Sequence, residues 1–261
     1  NMSVFQDSFP HYPWMEPRLA RLPGVQPMAQ GDFLRRDEAF AGQMALRDGL
    51  IADRLGAVHG LLPEATSAAD ELYDIVLAKI SEDAGYQIGT SQVLRPDGVR
   101  VDLDRSNPLI TLGRLVQEDL CILQAKDGEH HLTGAILCFP ASWTLAQKLG
   151  RAMTSIHIPV SSYTADMAAR VQRMFDAIRV EQGLWRMNFL TYESSDLHHP
   201  RLEEAPRDKR KTIEKPYVRA ERQCLIRLPK TGAVVFTIHT YLMPIAQLPP
   251  VVQAGLTEFD H

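Results

Sequence analysis

The sequence predicts an α+β fold: a PAS-like antiparallel sheet of about five strands with inserted helices and an N-terminal helical extension. Two apolar runs flank Asp127-Gly128, a dipeptide typical of tight hairpin turns. Three further strand-like runs follow a helical region, and the last two are joined at Lys230-Thr231-Gly232. The five strands are expected at 119–126, 129–139, 184–192, 217–228 and 233–242.

The N-terminal part of the chain is predicted to be an arm followed by helices. Residues 1–30 are rich in proline and aromatic side chains and have no regular period. This pattern predicts an extended arm packed on the body, because a disordered tail would carry fewer aromatic residues. A helical extension is expected over 31–115, where apolar stripes predict helices at 32–55 and 67–80.

The body of the fold is expected over 116–245, followed by a tail over 246–261. Between the second and third strands, a short helix follows Pro140, and a longer amphipathic helix begins after Thr164. This order of helices, two strands, helices and three strands favours an α+β class over alternating βαβ units. The same layout is found in Per-Arnt-Sim (PAS) sensor domains, whose sheet and helices enclose a ligand pocket, but fold analogy alone does not establish a function.

Composition excludes several classes of protein. The 261 residues carry a net charge of −4 with lysine and arginine spread thinly, so no basic surface for nucleic acid is expected. No apolar run approaches the roughly 20 residues needed to span a bilayer, and the N-terminus lacks a signal pattern. We therefore expect no membrane association and a cytoplasmic location. The cysteines Cys121, Cys138 and Cys224 have no C-x-x-C spacing and lie in apolar runs, which predicts buried free thiols.

The first candidate ligand is His157, a lone histidine between Ile156 and Ile158 with Pro159 nearby. Histidine is the commonest protein metal ligand and a frequent axial ligand of haem. A histidine in apolar surroundings can equally be a core residue that is hydrogen-bonded within the protein. The pattern alone leaves both interpretations open.

Two strands carry further polar candidates. Arg222 interrupts an otherwise apolar face of strand 217–228, so its guanidinium needs an anion or several acceptors. The partner is either an internal carboxylate, for which Glu118 and Asp119 are candidates, or a ligand anion or bound oxygen. On strand 184–192, Arg186 and Asn188 could line a cofactor pocket or form an outer polar face.

Several short motifs appear in an order that resembles one known family. They are Leu115-Val116-Gln117-Glu118-Asp119-Leu120-Cys121, Cys138-Phe139-Pro140-Ala141-Ser142-Trp143, Ile156-His157-Ile158-Pro159-Val160, Trp185-Arg186-Met187-Asn188, Glu221-Arg222-Gln223 and Phe236-Thr237-Ile238. Together they resemble the alpha subunit of haem-dependent oxidative N-demethylase and its relatives. The resemblance covers roughly residues 30 to 245.

The resemblance implies a haem-binding PAS fold in which a sensor scaffold has become an enzyme. His157 would be the axial ligand of the haem iron, and Arg222 would face the bound oxygen or a propionate. Arg186 and Asn188, the pocket candidates from the strand pattern, are then candidates for contact with this cofactor, and Tyr163 and Tyr192 are candidates for a pocket hydroxyl. Glu221 and Gln223 are expected on the opposite side of a regular strand from Arg222.

The resemblance also implies the reaction and the partners. The leading hypothesis is an oxygen-activating oxidoreductase that demethylates a small amine such as dimethylamine. NADPH, FMN and a 2Fe-2S cluster would act only through partner reductase subunits. The alternative is a haem-binding PAS sensor or small-ligand binding protein without turnover. The N-terminal helices could also support a homodimer.

Overall fold

The computed structural model describes residues 2–21, 24–141, 143–152, 165–202 and 214–259. Its main sheet has seven antiparallel strands in the order β1-β8-β9-β10-β6-β7-β2, and a smaller sheet has the order β3-β4-β5. The strands are β1 Gln26–Pro27, β2 His59–Leu61, β3 Gln87–Ile88, β4 Gln92–Leu94, β5 Arg100–Asp102, β6 Asp119–Lys126, β7 Glu129–Ile136, β8 Leu184–Tyr192, β9 Tyr217–Arg227 and β10 Val234–Pro244.

Helices precede the sheet, interrupt it and follow it. The α-helices are α1 Pro17–Ala20, α2 Phe40–Asp53, α3 Leu55–Val58, α4 Thr66–Ile80, α5 Pro108–Gly113, α6 Leu145–Lys148, α7 Ala165–Ala177 and α8 Pro250–Phe259. Short 3-10 helices lie at Pro13–Met15, Pro63–Ala65 and Ile245–Gln247. Within the described residues, no helix is both long enough and apolar enough to cross a bilayer.

The mixed class and the antiparallel sheet are confirmed, but the expected number of about five strands is too low. The five long strands are the predicted ones, with ends shifted by at most three residues. The two additional strands, β1 and β2, are only two and three residues long and lie at the edges of the sheet. Strands of two or three residues are too short to show an alternating pattern in the sequence. Their formation depends on pairing with residues that are distant in the chain.

The hairpin between β6 and β7 follows directly from its turn residues. Asp127 and Gly128 have φ angles of 53° and 79°, the left-handed values that a tight two-residue hairpin turn requires.

Helix α2 begins later than the stripe at 32–55 predicts. Asp37 accepts a hydrogen bond from the backbone N–H of Ala39 at 3.0 Å, which satisfies a backbone donor just before the helix.

The main sheet has two covered faces, which we name by what packs on them. On the α7 face, Phe175 and Ile178 pack against Leu225, Val234 and Ile238, and α6 contributes Leu145. On the N-terminal face, Phe9 and Trp14 pack with Met187 and Tyr241 together with Val252 and Leu256 of α8. The three cysteines are free and buried, as predicted.

Candidate functional site

The register of the central strands assigns each polar side chain to one face. Arg186 pairs with Gln223, and Asn188 pairs with Glu221, which itself pairs with Thr240 of β10. Paired residues of neighbouring strands project to the same face, and the next residue projects to the other. These five side chains therefore belong to the α7 face. Arg222, which pairs with Met187 and His239, belongs to the N-terminal face.

Arg222 is bound by protein groups on the N-terminal face. Its Nη1 donates to the carbonyl oxygen of Asp32 at 2.8 Å, and its Nη2 donates to the carboxylate of Asp32 at 3.1 Å. The guanidinium carbon lies 5.5 Å from the ring centre of Trp185. The prediction that Glu118 or Asp119 is the carboxylate partner of Arg222 is therefore wrong, because the partner is Asp32. Arg222 also lies on the opposite face of the sheet from Arg186 and Asn188.

Those two carboxylates serve other buried cations. Asp119 accepts from Arg47 at 2.7 Å, and both side chains are fully buried. Glu118 accepts from Nδ1 of His239 at 2.6 Å, while Nε2 of His239 bonds Asp37 at 2.8 Å. Although burial opposes the charge, the two carboxylates raise the pKa of His239 to about 9. The Gln117-Glu118-Asp119 motif is thus a buried junction between the N-terminal segment and the sheet.

The α7 face carries a different polar cluster, centred on Glu221. Nδ2 of Asn188 donates to Oε1 of Glu221 at 3.4 Å, and the backbone N–H of Glu221 donates to Oδ1 of Asn188 at 3.2 Å. Burial raises the pKa of Glu221, against the opposing effects of Arg219 and Asn188. Burial also lowers the pKa of Arg186. A carboxyl with a raised pKa beside a desolvated guanidinium is typical of a binding or catalytic site.

Three buried polar atoms of this cluster have no hydrogen-bond partner within the described part of the chain. They are Nε of Arg186, Nε of Arg219 and Oγ1 of Thr240. Buried polar groups in folded proteins are nearly always satisfied, so such atoms indicate a missing water, ion or ligand. The α7 face thus has polar groups available to a ligand.

Arg219 also connects this cluster to two loops. Its Nη1 donates to the carbonyl of Leu197 at 2.8 Å, and its Nη2 donates to the carbonyl of Phe139 at 2.6 Å. Farther along, Oγ1 of Thr144 donates to the carbonyl of Arg201 at 2.8 Å. The loops after β7 and β8 are therefore tied to one end of the α7 face.

Two predicted site residues, His157 and Tyr163, lie outside the described residues. Before that segment, Leu145 of α6 packs in the core of the α7 face, and after it, Phe175 of α7 packs in the same core. Ala152 forms a β-bridge with His131 of β7. Helix α7 is anchored at its far end by Arg227, which donates to the carbonyls of Phe175 and Ile178.

The polar groups of the α7 face are chemically suited to a haem. A haem carries anionic propionates, which suit the partly buried Arg186 guanidinium and its unpartnered Nε. In the part of the chain that is described, no group of three or more metal-ligating side chains occurs. Haem needs no such group, because a single axial side chain can hold its iron.

Two of the five side chains in this cluster are among the residues that the sequence predicts to line a site. Arg186 and Asn188 were predicted, and the alternation of β9 correctly placed Glu221 and Gln223 opposite Arg222. It did not select Glu221, Arg219 or Thr240 as functional. One signal could have identified the first two: Glu221 and Arg219 lie on the same face of β9, and that face is the one on which Arg186 and Asn188 of the neighbouring strand lie.

One comparison with known proteins bears on this site. The family model described as "haem-dependent oxidative N-demethylase, alpha subunit-like" matches residues 24–255. The match includes the described part of the α7 face as well as the segment that contains His157.

Proposed function

Since this chain belongs to the haem-dependent oxidative N-demethylase alpha subunit-like family, we propose that it is a haem-dependent oxidoreductase that activates oxygen to demethylate a small amine. Dimethylamine is the proposed type of substrate, and a partner reductase would supply electrons. The observation that carries the proposal is the incomplete polar cluster of Arg186, Asn188 and Glu221 on the α7 face. We also propose that the sheet and its inserted helices act as a PAS-like ligand-binding scaffold.

The proposed reaction balances with one reductant. Dimethylamine, dioxygen, two electrons and two protons give methylamine, formaldehyde and water. The carbon of one methyl group is oxidised and its bond to nitrogen breaks, while dioxygen is reduced. The family name describes an alpha subunit, which supports a separate protein as the electron source.

The haem would be held by His157 and by the polar groups of the α7 face. Bound there, it would supply the one-electron and oxygen chemistry that side chains lack. His157 would bind its iron, and Arg186 would bind an anionic group of the cofactor. The positions of α6 and α7 support this arrangement, because these helices precede and follow the His157 segment and both pack on the α7 face.

Glu221 would accept a proton from the amine nitrogen and return it. Because burial raises its pKa, this carboxyl can accept and release a proton closer to neutral pH than an ordinary glutamate. Asn188 would orient it through the bond between the two side chains. Tyr163 remains a proposed pocket hydroxyl. Arg222 is not part of the proposed site, because its guanidinium is bound to Asp32 on the other face.

An absorbance spectrum tests the cofactor. We expect purified or haem-reconstituted protein to show a Soret band that is lost in His157→Ala. The matched control is His11→Ala, because His11 contacts Trp185 on the N-terminal face and should not affect the band. A wild-type protein that stays colourless after reconstitution would contradict haem binding.

Turnover distinguishes the enzyme from a sensor. Reduced, haem-loaded protein is mixed with oxygen and dimethylamine, and formaldehyde is measured. We expect formaldehyde in the presence of the amine and none in its absence. Oxygen binding without formaldehyde for any small methylamine would instead identify a haem-binding protein without turnover.

A further inference from the structure

One edge of the main sheet is open along most of β8. The two-residue strand β1 pairs only with Leu184 and Trp185 of β8. Over residues 186–192, β8 pairs with β9 on its inner side, and within the described residues no strand pairs with it on the outer side. We name this run of seven residues the β8 edge. An open strand edge presents backbone N–H and C=O groups that can pair with another strand.

The sequence of the β8 edge lacks the usual protection against pairing. Natural edge strands are commonly protected by lysine, by proline or by charges that point inward. Apart from Arg186 at its first position, the edge reads Met187-Asn188-Phe189-Leu190-Thr191-Tyr192, with no charged residue and no proline. Phenylalanine, threonine and tyrosine also favour strands. The β8 edge is therefore suited to accept another strand.

Exposed apolar side chains flank this edge on both faces of the sheet. Leu190 pairs with Arg219, which places it on the α7 face, and it is 60% exposed. On the N-terminal face, Phe189 contacts Phe259 of α8 with the ring centres 5.0 Å apart, and Phe259 is 50% exposed. Side chains of neighbouring strands pack against each other on each face of a sheet. A strand paired with the β8 edge would therefore cover both exposed side chains.

The two ends of the β8 edge carry opposite charges. At the end near β1, the side chain of Arg18 is 54% exposed, and its guanidinium carbon lies 6.0 Å from the ring centre of Trp185. At the other end, the exposed Glu193 directly follows the strand. Antiparallel pairing of the edge with a second copy of itself places each end beside the opposite end of the other copy. Arg18 of each copy would then lie near Glu193 of the other, which favours this pairing electrostatically.

We propose that the protein forms a homodimer in which the β8 edges of two copies pair antiparallel about a two-fold axis. Phe189 is the central residue of the run 186–192, so self-pairing of the whole run places Phe189 opposite its own copy and Asn188 opposite Leu190. The two main sheets would join into one. A second copy accounts for the open backbone, for the apolar side chains on both faces and for the opposite charges at the two ends.

Sedimentation equilibrium of the purified full chain tests the proposal. We expect twice the chain mass of 29.3 kDa. Leu190→Lys should weaken dimerisation at least tenfold, because self-pairing brings the two new ammonium groups into diagonal positions on the same face. The matched control is Ile88→Lys, since Ile88 is 41% exposed on β3, an edge strand of the smaller sheet, and should leave the dimer unchanged. A wild-type chain that stays monomeric at micromolar concentration would overturn the proposal, as would equal dimerisation of wild type and Leu190→Lys.

A cysteine placed at the β8 edge locates the contact. Leu190→Cys adds an exposed thiol to a chain whose own three cysteines are buried. Positions 190 of the two copies would be diagonal neighbours, about 7 to 8 Å apart, so a short bifunctional thiol reagent should link them. Ile88→Cys is the matched control and should stay unlinked. Absence of a linked dimer in Leu190→Cys would overturn the proposal, and neither experiment depends on haem.

Discussion

The two faces of the central sheet carry the same kinds of side chain but treat them differently. On the N-terminal face, Arg222 and His239 are bound to Asp32, Glu118 and Asp37. On the α7 face, Arg186 and Glu221 are desolvated, and among the described residues neither forms an ion pair. Buried atoms that lack a hydrogen-bond partner in the described chain occur on both faces, for example Nε of Arg186 and Nε of Arg222.

The difference shows how to separate stabilising polar residues from functional ones. A buried charge that is ion-paired within the protein contributes to the fold, whereas one without an ion-pair partner is available to a ligand. Residue type and alternation do not distinguish the two cases, since Arg222 and Arg186 both lie on strands with apolar neighbours. The partners distinguish them.

The largest predicted effect concerns His239 on the N-terminal face. Because its pKa is raised from 6.5 to about 9 in the folded state, its stabilising contribution is complete below pH 6.5. That contribution is lost as pH rises through 9 and should amount to about 3 kcal/mol. Urea unfolding at pH 6.5 and pH 9.5 measures it. In His239→Gln this part of the pH dependence should disappear, and an identical pH dependence in the variant would contradict the charged-histidine account.

Next in size is the effect of Glu221→Gln on the α7 face. Loss of the proton-transferring carboxyl should lower kcat for formaldehyde release by about 100-fold, the scale typical of general acid–base catalysis. The Soret band and the free energy of unfolding should stay close to wild type, because glutamine keeps the size of the side chain. The control is Glu258→Gln, which removes an exposed carboxyl from α8, a helix that packs on the N-terminal face. Full activity in Glu221→Gln would remove this residue from the mechanism.

Arg222→Met should mainly affect stability. The variant loses the bonds to Asp32, but the Asp32 carboxylate keeps its pairing with Arg35 and is 34% exposed. The free energy of unfolding should therefore fall by only about 1 to 2 kcal/mol. Chemical denaturation measures this change, and haem spectra of the folded variant should match wild type. A variant as stable as wild type but without turnover would show that Arg222 acts in the reaction.

Much of the fold could be predicted because its signals are local. The five long strands and the Asp127-Gly128 turn depend on alternation and on turn residues within a few positions. The partner of Arg222 could not be predicted, since Asp32 is 190 positions away in the chain. For the same reason, the sequence suggested Arg222, Arg186 and Asn188 as one site, although the register separates them.

The central claim is that haem binds on the α7 face. It is tested most directly by titrating haem into Arg186→Met and Arg222→Met side by side with wild type and following the Soret band. Loss of the anion-binding guanidinium should weaken haem binding about tenfold in Arg186→Met, which corresponds to about 1.4 kcal/mol. Arg222→Met should bind haem like wild type. Weakened binding in Arg222→Met together with wild-type binding in Arg186→Met would contradict the assignment of the two faces.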